Sequence, residues 1–211
     1  MIVTIITAAW RIEGLKNIIN CINRQTYTRW EHIIVNDNND EIRKELIPLC
    51  EDPRRHWIDI GVRTHYFGCF ARNIGTMVSF SYIKEHLRNV TDEWVCFFDD
   101  DNYWEDNHLE SLVNIKNKYN NATLIGSDMI FRGVRNKEYK KIIPCKFEAD
   151  NCDLGQFMYN KILFDKYGYF KARPERKITW DFELIKKITA GECDSVHLTG
   201  LPTFIFNHRD R

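Results

Sequence analysis

The alternation in the first sixty residues limits the fold more than anything else in the chain. Residues 2–7 form a continuous β-branched run, the pattern of a strand covered on both faces. After the loop Ala8-Ala9-Trp10-Arg11, residues 14–24 place Leu15, Ile18, Ile19 and Ile22 at helical spacing. Residues 30–35 read as a second strand, 41–50 as a short helix and 57–62 as a weaker third strand. A β-α-β-α-β order implies a parallel sheet with crossover helices, so the expected class is α/β.

A second stretch suggests where a ligand would sit. Trp94-Val95-Cys96-Phe97-Phe98 reads as a buried strand, and it ends abruptly in Asp99-Asp100-Asp101. If the strand continues one residue further, Asp99 and Asp101 share a face. Two carboxylates about 6 Å apart repel by roughly 3 kcal/mol at an effective dielectric of 20. The cluster is then either a solvated turn or a partly buried site built around a cation. Oxygen ligands suit Mg²⁺ or Mn²⁺, and Mg²⁺ commonly shares its shell with phosphates. Ligands of open parallel sheets bind beyond the carboxyl ends of the strands. Two other strand ends carry Thr7-Ala8-Ala9 and Asn36-Asp37-Asn38. Small residues let a ligand lie against backbone, and acids can hold a base, ribose hydroxyls or a metal. That placement describes a nucleotide site. Neither a GxGxxG nor a GxxxxGK[ST] loop is present, which disfavours a dinucleotide or P-loop site.

The remainder continues in the same style. A helix opens at 67–73 and runs to about 88, and another begins at 104–106. Residues 122–127 read as a strand, 140–145 as an edge strand and 154–159 as a strand. Helices follow at 161–167 and 181–190, then two short late strands at 195–198 and 203–206. No linker or repeat divides the 211 residues, so one domain is expected over 1–211. Thirty basic and thirty acidic residues balance, which argues against a broad electrostatic grip on nucleic acid. Seven cysteines without a CxxC pair read as small buried hydrophobes in a reducing, cytoplasmic setting. The N-terminus lacks the features of a signal peptide, and no apolar run reaches a membrane span.

Several motifs, in order, resemble the family 2 glycosyltransferases of the GT-A fold. Val3 to Thr7 is similar to the family's opening strand. Gln25-Thr26-Tyr27, then Trp30-Glu31 through Val35-Asn36-Asp37, resembles its "QTY…WE-IIVDD" segment. Ala71-Arg72-Asn73-Ile74-Gly75 looks like its "ARN-G" helix start, and Phe98-Asp99-Asp100-Asp101 like its DxD motif. Lys166-Tyr167-Gly168-Tyr169-Phe170 resembles the segment ending in "GGF", with Tyr169 in place of the second glycine. Trp180-Asp181-Phe182-Glu183 sits where the family has its "ED" base, with Trp180 in place of the usual glutamate.

The resemblance implies a GT-A-type, Rossmann-like single domain with a mostly parallel mixed central sheet flanked by helices. Residues 1–101 would be the nucleotide-sugar half and 102–211 the acceptor half. It implies a metal-dependent transferase that uses a nucleotide-diphospho-sugar, most simply a UDP-sugar, with inversion. The cofactor would be Mn²⁺ or Mg²⁺. Thr7, Ala8, Ala9, Asp37, Arg72, Asp99 and Asp100 would contact the donor. Asp99, Asp101 and His208 would serve the metal. Asp181, with Glu183 as the alternative, would be the general base on the acceptor hydroxyl. The acceptor stays open among a glycan, a protein, a lipid-linked sugar and a modified nucleobase. A nucleotidyltransferase on a similar sheet would need a Gly-rich basic loop after the first strand, which Ala8 to Glu13 does not supply. A non-catalytic binding module would have little use for acids at 99, 101 and 181. Trp104 could pack in the core or stack on a sugar, and Asp153 and Gln156 could contact donor or acceptor.

Overall fold

The computed structural model describes residues 1–64, 68–86, 93–132, 140–147, 151–171, 180–191 and 195–207. Among these, nine strands form one mixed sheet. The chain begins with β1 (Ile2–Ala9), α1 (Ile12–Asn23), β2 (Trp30–Asn36), α2 (Asp40–Leu49) and β3 (Arg55–Asp59). Helix α3 (Cys69–His86) leads to β4 (Glu93–Phe97), β5 (Tyr103–Trp104) and α4 (His108–Lys118). Then come β6 (Leu124–Arg132), β7 (Lys140–Ile143), β8 (Phe157–Asn160), α5 (Lys161–Tyr167), α6 (Trp180–Thr189) and β9 (Val196–Asn207).

The strand order is β3-β2-β1-β4-β8-β6-β9-β5, with β7 also paired to β6. Strands β3, β2, β1 and β4 are all parallel, as the alternation requires. Strand β8 is antiparallel to both β4 and β6, which makes the sheet mixed. The carboxyl ends of β1, β2 and β4 therefore lie side by side on one edge.

Alternation along the strands divides the core. Trp94, Cys96 and Phe98 pack with Val3, Ile5, Ile18, Leu109 and Leu112, on the face covered by α1 and α4. Val95 and Phe97 pack with Ile6, Phe80, Phe164, Leu184 and Ile188, on the face covered by α3, α5 and α6. Each buried aromatic or aliphatic side chain contributes about 1.5–3 kcal/mol by leaving water.

Four expected elements differ. The helix expected to begin at 104–106 starts only at His108, and Trp104 lies in the two-residue strand β5. Strand β3 lies earlier than 57–62, because Trp57 is an exposed edge residue rather than the start of an apolar run. Residues Leu154–Gln156 form a 3₁₀ turn instead of the beginning of a strand. Asp153 and Gln156 close a capping box there, with the Asp153 carboxylate accepting from Gly155 N at 2.9 Å. The two late strands are one, β9, because its parallel pairing with β6 runs on through register shifts around Asp128.

Candidate active site

Strand β4 ends at Phe97, and Phe98 N still donates to Ile6 O at 3.0 Å. The chain then turns, with Asn102 N donating to Asp99 O at 3.2 Å. The three acids therefore sit on a turn, not on an extended strand, and the expected face-sharing of Asp99 and Asp101 by alternation is not what joins them. Asn102 anchors the turn from below: it is buried, and its Oδ1 accepts from Asn207 N at 3.2 Å. The turn still keeps the acids within reach of each other. The Asp101 carboxyl is pushed above its ordinary value, first by burial and then by the charge of Asp99. The Arg11 guanidinium offsets this only in part.

Each of the other two acids holds an arginine. The carboxylate of Asp100 accepts from Arg11 N at 2.8 Å and from Arg11 Nε at 3.1 Å, with a further contact from Nη2. Arg11 is the N-cap of α1 and has no side-chain cap of its own. An anion at that helix end satisfies one orphan donor and is favoured by the dipole. Arg11 Nη2 also lies 3.4 Å from Asp101. Asp99 accepts from Arg72 Nε at 3.1 Å and contacts Arg72 Nη2. Arg72 stands in the first turn of α3 and is buried. Burying a guanidinium is costly unless it is paired, and Asp99 supplies the pair.

The backbones here are closely packed. A Cβ on Gly14 would overlap the carbonyl oxygen of Asp100 and lie 2.8 Å from its Cβ. Helix α1 thus rests directly on the acid turn. Gly14→Ala is expected to push the turn outward, lower the melting temperature, and cost about 1–3 kcal/mol by overpacking. Denaturant unfolding checks this; an unchanged midpoint would remove Gly14 from the account. Gly68 has φ +76°, and a Cβ there would lie 2.8 Å from Ala8 Cβ.

The other predicted residues are placed as follows. Thr7 and Ala9 are fully buried, and the Thr7 hydroxyl is 3.0 Å from His32 Nε2. Their side chains are closed off, so a ligand at this edge would meet their backbone. Ala8 is half-buried beside Gly68. Asp37 is buried, and its two oxygens accept from Thr64 N at 2.8 Å and Thr64 Oγ1 at 2.9 Å. Trp10 is exposed under the Arg63 guanidinium, 4.0 Å away, while its carbonyl accepts from Asn39 Nδ2 at 2.6 Å. Trp104 is no sugar platform: it is stacked between Phe98 and His108, and its Nε1 donates to Gly155 O at 3.0 Å. Gln156 is fully buried and donates to Ser127 O at 2.8 Å, so it faces no ligand. Asp181 lies in the first turn of α6, and Glu183, two residues on, is half-buried. His208 lies outside the described residues. Arg11 and Thr64 were missed by sequence reasoning. A cation two residues past the end of β1 was a usable signal for Arg11. Nothing local pointed to Thr64.

Among the described residues no group of three or more His, Cys, Asp or Glu forms a ready metal cluster. The donor chemistry nevertheless fits a hard cation. Asp101 is a half-buried carboxylate strained by a neighbouring negative charge, and Asp99 supplies a second set of oxygens. Two carboxylates plus the oxygens of a diphosphate are a usual shell for Mg²⁺ or Mn²⁺.

Comparison with known proteins bears on the fold and on the family that the chain resembles. Residues 83–178 match the model for glycosyl transferase family 2. An uncharacterized glycosyltransferase of Acanthamoeba polyphaga mimivirus is 28% identical over 138 residues, covering 57% of this chain and 52% of the relative. The chain is thus similar to the family 2 glycosyltransferases. Solved structures support the GT-A fold. Staphylococcus aureus TarS 1–349 in complex with UDP superimposes with a TM-score of 0.69 at 15% identity, over 99% of this chain and 61% of that one. The mannosyltransferase PcManGT from Pyrobaculum calidifontis, in complex with GDP-Man and Mn²⁺, gives 0.63 at 13% identity, over 97% and 56%. The chain spans about half the length of the mimivirus relative. None of its described helices is long and apolar enough to cross a membrane.

Proposed function

We propose that this domain transfers a sugar from a nucleotide-diphospho-sugar, in the first instance a UDP-sugar, to an acceptor hydroxyl with inversion. The observation that carries the reading is the charge arrangement at the ends of β1 and β4. Two guanidiniums, from Arg11 and Arg72, are held against three acids on one turn. A diphosphate and a divalent cation are the pair of opposite charges that such a site can accept together. The bound metal would be held by Asp101 and Asp99 and would neutralise charge on the departing diphosphate. Arg72 adds a fixed positive charge there, the kind of preorganised electrostatics that contributes most to such steps. Asp37, held by Thr64, would contact the base.

The acceptor oxygen forms a bond to the anomeric carbon from the face opposite the diphosphate. The carbon–oxygen bond to the diphosphate breaks, and its electron pair leaves with that oxygen. The acceptor proton passes to a carboxylate, which we assign to Asp181. The assignment follows the register of Trp180-Asp181-Phe182-Glu183 against the family's base motif, with Glu183 as the alternative. A carboxylate with an ordinary value suffices, because the hydroxyl sheds its proton late.

Calorimetric titration of UDP and GDP, with and without Mn²⁺, tests the donor half. UDP should bind, and Mn²⁺ should tighten it by about tenfold or more. Nucleoside-diphosphate release from a panel of sugar donors tests the reaction. Asp181→Asn should keep UDP affinity and lose about 10²–10⁴-fold in transfer. Binding indifferent to Mn²⁺ would defeat the metal assignment. Full transfer by Asp181→Asn would move the base elsewhere, with Glu183→Gln the next variant.

A further inference from the structure

We infer that Asn73 is a positioning residue that ties the acceptor-side segment to the donor site, so that nucleotide binding at Arg72 and Asp99 is felt at Phe170. This rests on the donor reading above.

Asn73 follows Arg72 near the start of α3 and is buried. Its side chain spans two distant parts of the chain. Asn73 Nδ2 donates to Phe170 O at 2.8 Å, and Asn73 Oδ1 accepts from Phe170 N at 3.0 Å. Both groups of one peptide position are thus taken by one amide, as a neighbouring strand would take them. This fixes the orientation of the amide, since only its nitrogen donates. Phe170 itself is buried against Phe97, with ring centroids 5.1 Å apart, and Phe97 is the last residue of β4 before the acid turn.

One helix turn therefore grips both halves of the molecule. Arg72 holds Asp99, and Asn73 holds Phe170. Burial alone would not need an amide here, because Phe97, Phe164 and Phe170 already pack edge to face. An apolar side chain would bury the same surface without the cost of desolvating an amide. What the two hydrogen bonds add is register: they fix Phe170 along and across the helix, not just against it. Helix α6, which carries Asp181, begins ten positions further along the chain at Trp180. A diphosphate that draws Arg72 also loads the turn that holds Phe170.

Amide hydrogen exchange with UDP and Mn²⁺ as the probe tests this, using peptides that contain Phe170. In the wild type, saturating UDP should slow exchange of the Phe170 amide by about threefold or more. In Asn73→Ala the UDP affinity should stay within about twofold, while the UDP-dependent slowing at Phe170 disappears. Asn73→Asp keeps the acceptor for Phe170 N but lacks the donor, and should retain part of the slowing. A UDP-independent Phe170 amide in wild type that binds UDP would overturn the inference. So would undiminished slowing in Asn73→Ala, or a UDP affinity that falls by tenfold or more in a folded Asn73→Ala. Absence of UDP binding to the wild type would instead defeat the donor reading. Near-ultraviolet circular dichroism of each variant separates loss of coupling from loss of fold, and Asn73→Ser serves if the alanine variant is unfolded.

Discussion

Asp101→Asn should remove turnover of the donor and at the same time raise the melting temperature of the ligand-free protein. The two effects have one cause. The Asp101 carboxyl is raised above its usual 3.8 by burial and by Asp99. The folded state therefore binds its proton more tightly than the unfolded state does. Stability from this group falls as pH rises through the window between 3.8 and the raised value, and the cost is fully present at neutral pH. Asparagine removes that cost, so the ligand-free protein gains. The same charge is what a divalent cation would offset, so the loaded protein loses. Donor turnover should fall by about 10²–10³-fold, the usual effect of deleting one preorganised electrostatic group. The Mn²⁺ dependence of UDP affinity should vanish with it. A thermal scan and a nucleotide-release assay on the same sample settle both; a variant that is less stable and still active would contradict the account twice.

Mild acid should destabilise the protein before its carboxylates are fully protonated. His32 and His108 are fully buried, and burial pushes each imidazole down from 6.5 to about 3. His32 is pressed further by Arg55 and His56. Each hydrogen-bonds a hydroxyl, Thr7 for His32 and Thr203 for His108. Below pH 6.5 the unfolded chain takes up two protons that the folded state refuses. Stability is intact above 6.5 and declines toward 3, by about 1.4 kcal/mol per pH unit for each histidine. At pH 4.5 the two together cost roughly 5 kcal/mol, a large share of a typical 5–15 kcal/mol. Denaturant midpoints measured from pH 7.5 to 4.5 should fall with a slope near two protons. His108→Gln should reduce that slope by about half. A flat profile over the range would mean that both rings charge without penalty in the fold.

Much of this architecture could be read from local pattern. The unbroken runs of β1 and β4 mark strands buried on both faces, and the apolar spacing of α1 marks a helix lying on a sheet. The acids at 99 to 101 are visible because charge rarely follows an aromatic strand without reason. Partnerships across the chain were not legible. Thr64 on Asp37, Arg11 on Asp100 and Asn73 on Phe170 join positions that no periodicity relates. Strand β9 was divided by Gly200 and Pro202, residues that normally end strands, because its continuity comes from pairing with β6 rather than from its own composition. The acid turn failed as an extended strand for the same reason: Asn102, held by Asn207, decides where the chain bends. The family match and the fold are consistent with the resemblance in the motifs, and the site roles rest on the experiments above.

The place of β1 has a consequence for synthesis. It lies in the middle of the parallel half, between β2 and β4. As the chain emerges from the ribosome, β2 is available soon, but the partner for the other edge arrives only with Glu93–Phe97. At roughly 5–20 residues per second, that edge waits for several seconds. It is a bare row of main-chain donors and acceptors on an apolar strand, the kind of surface that pairs with a neighbouring nascent chain. Yield of soluble protein should therefore depend on how quickly the segment through β4 is translated.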